Sequence, residues 1–183
     1  MIAVILIMGL LIALVAPGIG TLSGRRLQST AEQLSAALEL ARQRTVMTGV
    51  PHRLHLDLDA ATWRLESWVS DAEERGEEEA PPPPPLDVRG VTPLDLRPPH
   101  GPERSFRPLP GRLGRDEALD DSLSFAGVQT DDGFADRGQA AVEFSTDGTA
   151  PYTEILLDDD SGRRLAIEVL PLAESVRVID AER

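Results

Sequence analysis

Hydrophobic and polar positions divide this chain into three regimes. From Met1 to Ala16 there is no charged and no strongly hydrogen-bonding side chain, and Pro17-Gly18 ends the run. A helix rises 1.5 Å per residue, so a hydrocarbon core of about 30 Å takes roughly 20 apolar residues. The run is slightly short of that, and Ile19 and Leu22 carry its apolar surface past the proline. Ile2, Val4, Ile5, Leu6, Ile7, Leu10, Leu11, Ile12, Leu14 and Val15 would form the anchoring surface. A cleavable signal peptide fits less well. No basic residue precedes the run, and Leu14-Val15-Ala16 is not a small-x-small cleavage site. A buried core helix is the third reading.

The second regime has the period of an amphipathic helix. Between Leu22 and Thr48, Leu27, Ala31, Leu34, Leu38, Ala41 and Thr45 recur at alternating spacings of four and three. Arg25, Arg26, Gln28, Glu32, Gln33, Glu39, Arg42 and Gln43 lie mostly off that stripe. The stripe is expected to pack on the chain's own sheet. Gly49 suits the left-handed position just past a helix end, and Pro51 cannot continue the helix. A signal peptide would not run into such a helix, so an anchor is favoured. Pro17 removes one backbone hydrogen bond and crowds the preceding turn, so a kink is expected at Pro17 and Gly18. Arg25 and Arg26 pull the other way on orientation, because the positive-inside tendency would put their side of the membrane in the cytoplasm.

After Gly49 the period changes to two. Leu54, Leu56 and Leu58 alternate with Arg53, His55 and Asp57, and a turn at Asp59–Thr62 leads to a partner strand with Trp63, Leu65, Ser67 and Val69 on one face. From Ser70 to about Asp120 the pattern dissolves into an acidic run, SDAEERGEEEA, a Pro81–Pro85 tract and further proline-rich sequence. Such a stretch cannot offset its ordering entropy by burial, so it reads as a surface insertion, with one short strand at Val88–Leu96. A proline-rich docking segment is the functional alternative. Strands resume at Ser122 in LSFAGV, VEFSTDG, YTEILLD, RRLAIEVL and SVRVI, giving about seven in all. Asp158–Gly162 should form the hairpin turn between Ile155–Leu157 and Leu165–Val169. The expected class is therefore α+β, with a long N-terminal helix, transmembrane half plus amphipathic half, packed on a mostly antiparallel sheet. The expected divisions are residues 1–22, a transmembrane and assembly helix; 23–49, its amphipathic continuation; and 50–183, a β-domain with the insertion at about 70–120.

Composition narrows the function. A formal charge of −13 argues against nucleic acid as a partner. Cysteine is absent, which removes disulfides, thiolate metal sites and cysteine nucleophiles. No GxSxG, HExxH, P-loop or GxGxxG pattern occurs. His52 and His55 are three apart on a strand, hence on opposite faces, and read as surface or edge residues. Asp158, Asp159 and Asp160 offer the oxygen ligands calcium prefers, without the spacing of a calcium loop. They read as a solvated turn. No catalytic, cofactor or metal residues are assigned, and the chain reads as structural, not enzymatic.

The stretch I-x-I-x-G-L-L-x-A-L-x-x-P at Ile5–Pro17, the helix end running LELARQRTVMTGVPHRLHLD (Leu38–Asp57), and VEFSTDGTAPYTEILLDD (Val142–Asp159) occur in that order. The arrangement resembles the type IV pilin superfamily, and more narrowly the GspH/FimT-like minor pseudopilins of the type II secretion pathway. The resemblance implies a pilin-like fold, a single pass through the bacterial inner membrane and a periplasmic C-terminal domain. It also implies apolar helices packed in the core of a pseudopilus. Implied partners are other major and minor pseudopilins and, on the full-length precursor, a prepilin peptidase, together with methylation. Members begin with a basic leader and a Gly-Phe-Thr-Leu-x-Glu-like start. None precedes Met1, so an internal start with residues missing upstream is expected. The alternatives are a minor pilin of a type IV pilus and, from another class, a membrane-anchored periplasmic binding module.

Overall fold

The computed structural model describes residues 2–70, 104–171 and 176–181, with side chains from Gly24 onward. One helix, α1 (Ile2–Thr48), is followed by ten strands among these residues. They are β1 (His52–Asp57), β2 (Thr62–Ser70), β3 (Arg104–Pro108), β4 (Glu117–Ala118), β5 (Leu123–Thr130), β6 (Gly133–Ala135), β7 (Gln139–Phe144), β8 (Thr153–Asp159), β9 (Arg164–Val169) and β10 (Arg177–Asp180). The backbone of α1 stays helical through Pro17 and Gly18. The helix stops at a residue that adopts the left-handed region without strain. Gly49 has φ of 67°, and its N–H donates to the Thr45 carbonyl at 2.9 Å.

The strands form two sheets rather than the one expected. The first runs β3-β2-β1-β7, with β4 beside β3 along the same edge of β2; the second runs β10-β9-β8-β5-β6. Every pairing is antiparallel. In the first sheet Leu54 stands opposite Leu65 on one side and Val142 on the other, a row of three fully or almost fully buried side chains. In the second, Ile155 pairs with Ile167 and Leu157 with Leu165, all buried. Alternation explains these rows, because every second residue of a strand reaches the same face. The two inner faces and α1 close over one apolar core.

Between Phe125 and Gly127 the pairing of β5 with β8 shifts, as a bulge requires. Gly127 has φ of 148°, and a Cβ there would overlap the Phe134 ring. A side chain at this position would therefore break both the bulge and the seat of β6. The segment DDGFADRGQ, read as a connection, contains β6.

Order also resumes earlier than the proline content suggested. Residues 104–120, assigned to the insertion, carry β3 and β4, both paired with β2. Pro108 is tolerated because it ends a strand, and Phe106 is fixed by an edge-on contact with Trp68 at 4.9 Å. Local composition missed this because the ladder that holds β3 comes from β2, a distant stretch of chain. Most of the acidic and polyproline run, and the strand expected at Val88–Leu96, lie outside the described residues.

Candidate assembly surface

Two faces of α1 meet different surroundings. Leu27, Ala31, Leu34, Leu38, Ala41 and Thr45 are all 0% exposed against the sheets. The two alanines let the helix approach closely, and each buried leucine contributes about 2 kcal/mol by leaving water. Thr45 connects helix to sheet: its hydroxyl donates to the Ala41 carbonyl at 2.9 Å and accepts the His52 backbone N–H at 3.0 Å. Further along, Glu39 accepts the Val176 N–H at 2.8 Å while pairing with Arg42 at 2.9 Å. At the other end Arg26 pairs with Asp120 at 3.2 Å. These links fasten α1 to both sheets along its second half.

Among the described residues the opposite face has no such link to the sheets. Gln28, Glu32, Ala36, Gln43 and Met47 are exposed along one side, with Gln28 donating to Glu32 at 3.0 Å. At its far end Val46 and Met47 are 58% and 84% exposed. Glu32 is the charged residue among these five, and exposed Arg25 precedes them by one turn.

The strongest electrostatic cluster lies on the other side of the first sheet. Glu66 has 2% of its surface exposed, yet both oxygens are engaged. Arg53 donates to Oε2 at 2.6 Å and Arg64 to Oε1 at 2.8 Å, while Arg64 also pairs with Asp116 at 2.8 Å. Arg53 in turn lies over the Phe106 ring, 4.1 Å from its centroid. Burial pushes the Glu66 carboxyl up, but the hydrogen bonds and charges of the two arginines outweigh it and hold the group below its ordinary value. Both oxygens are thus committed to guanidinium groups on a side chain that is almost wholly buried. Sequence reasoning passed over this cluster, although the β1–β2 register that sets Arg53 opposite Glu66 follows from the short turn between them.

The histidines are not surface residues. His52 and His55 are 4% and 8% exposed, on opposite faces of β1. His52 Nδ1 lies 2.7 Å from the Val50 carbonyl, and the arginine–glutamate cluster surrounds His55. Burial lowers the pKa of both. Alternation alone does not show this, because the end of α1 lies beside His52 and the arginine–glutamate cluster beside His55.

At the β8–β9 turn two of the three aspartates are engaged by the protein, although Asp159 Oδ2 is buried without a partner among the described residues. Asp158 takes a two-pronged contact from Arg164 at 2.6 and 2.7 Å. Asp159 Oδ1 accepts from the Ser161 N–H, the Ser161 hydroxyl and the Arg163 N–H. Burial raises the Asp159 carboxyl, but those three bonds bring it below its usual range. Among the described residues no three His, Asp or Glu side chains converge to hold a metal ion.

Neither a family model nor a curated protein matches the sequence. Solved structures do match the fold. Two are structures of the minor pseudopilin EpsH from the type II secretion system of Vibrio cholerae. One is 8% identical and covers 85% of this chain and 97% of that one; the other is 11% identical and covers 87% and 96%. Both superpose with a TM-score of 0.51. The fold is similar to that of this minor pseudopilin. At this identity the likeness speaks for the fold alone, an N-terminal helix packed on antiparallel sheets. Among the described residues no helix is long and apolar enough to cross a membrane. The apolar run Ile2–Val15 lies ahead of Gly24, where the described side chains begin.

Proposed function

We propose that this chain is a structural minor pseudopilin of a type II protein secretion system, without enzymatic activity. The observation that carries the proposal is the match of fold over nearly the whole length of the EpsH chains, in a protein whose helix starts with an apolar run. In this reading residues 1–22 anchor the subunit in the bacterial inner membrane, and residues 23–49 continue the helix into the periplasm. The domain of residues 50–183 stands there, with its insertion at about 70–120. A prepilin peptidase processes the full-length precursor. Ile2, Val4, Ile5, Leu6, Ile7, Leu10, Leu11, Ile12, Leu14 and Val15 then pass from lipid into a bundle with the helices of other pseudopilins.

Hydrophobic transfer alone does not drive that step, because lipid tails are as apolar as leucine; close packing and helix contacts must. A bend at Pro17-Gly18 would let the anchor join the bundle while the inner stripe stays on its own sheets. The exposed side of α1, from Gln28 to Met47, is available to neighbouring subunits. Deletion of the gene in the bacterium that carries it tests the reading. Exported proteins should accumulate in the periplasm and return to the medium on complementation. Unchanged export after deletion contradicts it.

A further inference from the structure

A cleft of about 350 Å³ opens between α1 and the edge of the first sheet. Its walls are Arg26, Ser29, Thr30 and Gln33 from the helix, Trp63 from β2, and Ala118, Leu119 and Asp120 from β4 and the residues after it. The volume falls within the roughly 300–1,000 Å³ usual for small-molecule sites. The pseudopilin reading makes no use of this cleft.

The serine and threonine hydroxyls in the cleft differ from the other described ones on the helix. Elsewhere on α1 from Gly24 onward, serine and threonine hydroxyls donate back to the preceding turn of the helix. Ser35 reaches the Ala31 carbonyl at 2.8 Å, Thr45 the Ala41 carbonyl at 2.9 Å and Thr48 the Arg44 carbonyl at 2.7 Å. The hydroxyls of Ser29 and Thr30, the Gln33 amide and the Trp63 indole N–H make no such bond to the described protein. Charge in the cleft cancels, because Arg26 and Asp120 pair with each other at 3.2 Å. That pairing disfavours both a free anion and a free cation as ligand. What remains is an aromatic side chain, half packed on the core, beside hydroxyl and amide groups with donors and acceptors to spare.

We propose that this cleft binds a neutral sugar unit, with its apolar ring face on Trp63 and its hydroxyls on Ser29, Thr30 and Gln33. An aromatic surface beside neutral hydrogen-bonding groups matches a sugar ring, which has C–H groups on its faces and hydroxyls around its rim. The proposal does not depend on the secretion role, and its failure would leave that role untouched.

The two tryptophans allow a direct test. Trp68 lies outside the cleft, so Trp68→Phe leaves Trp63 as the single indole reporter. The full chain with this change, held in a detergent without a sugar headgroup, is titrated with chitotetraose and separately with maltotetraose. A saturable change in tryptophan emission with at least one sugar is expected. Gln33→Ala should weaken it about tenfold, the effect of losing one or two hydrogen bonds. Calorimetry on Trp63→Ala, whose fold is checked by circular dichroism, should show loss of the binding heat. Three results would overturn the proposal: no saturable change with either sugar, undiminished heat in Trp63→Ala, or binding of a neutral Ser/Gly peptide with no response to sugar.

Discussion

The two faces of α1 lie on one helix and meet different fates. The inner face is a run of leucines and alanines ending in Thr45, entirely buried and tied to both sheets. The outer face is glutamine, glutamate, alanine and methionine, with no link to the sheets among the described residues. The inner face therefore carries the stability of the domain, whereas the outer face is free to vary with little effect on it.

Substitutions sharpen that division. Leu34→Ala leaves a cavity at a site closed on every side and should cost about 3 kcal/mol in chemical denaturation. A comparable loss, also about 3 kcal/mol, is expected for Glu66→Gln, because two guanidinium groups would be left around a neutral amide. Thr45→Val keeps the shape but strips the His52 N–H of its acceptor. An unsatisfied buried donor of that kind should cost about 1.5 kcal/mol. Met47→Ala changes an exposed residue of the outer face. Its stability should stay within about 0.5 kcal/mol of the parent. If Met47→Ala proved as damaging as Leu34→Ala, the division between faces would be wrong.

Acid should weaken the domain as well. His52 and His55 are held neutral by burial, so below the ordinary histidine value of 6.5 the unfolded chain takes up protons that the folded one refuses, and stability falls. Glu66, held below 4.5, acts in the same sense: its contribution is present above that value and is lost as pH falls through its lowered one. Thermal unfolding followed from pH 7 to pH 4 should therefore show a steady loss, and His55→Gln should flatten its upper part. A melting temperature that rises toward pH 5 would contradict this assignment.

Much of this architecture could be read from residue spacing. The shift from four-and-three to two after Gly49 marks the passage from helix to sheet, and the turn formers at Asp158–Gly162 mark the β8–β9 hairpin. What could not be read was decided by contacts between distant segments. β3 looks irregular until β2 offers it a ladder, and the burial of His55 depends on Arg53, Arg64 and Glu66 meeting across a register. Splitting of the strands into two sheets likewise depends on which edges meet, and alternation says nothing of that. The cleft beside Trp63 draws on three separate stretches of chain, so no local motif announced it.

Site-specific cross-linking tests the assembly claim most directly, and the absence of native cysteine makes it simple. Single cysteines are placed at Gln43 on the outer face and at Ala41 on the inner one, and the full chain is expressed with its neighbouring pseudopilins, each also carrying one cysteine on its helix. Gln43→Cys should give cross-linked heterodimers in membranes and Ala41→Cys should give none. If Gln43→Cys remains monomeric while the other pseudopilins cross-link to one another, this chain does not join their assembly through α1.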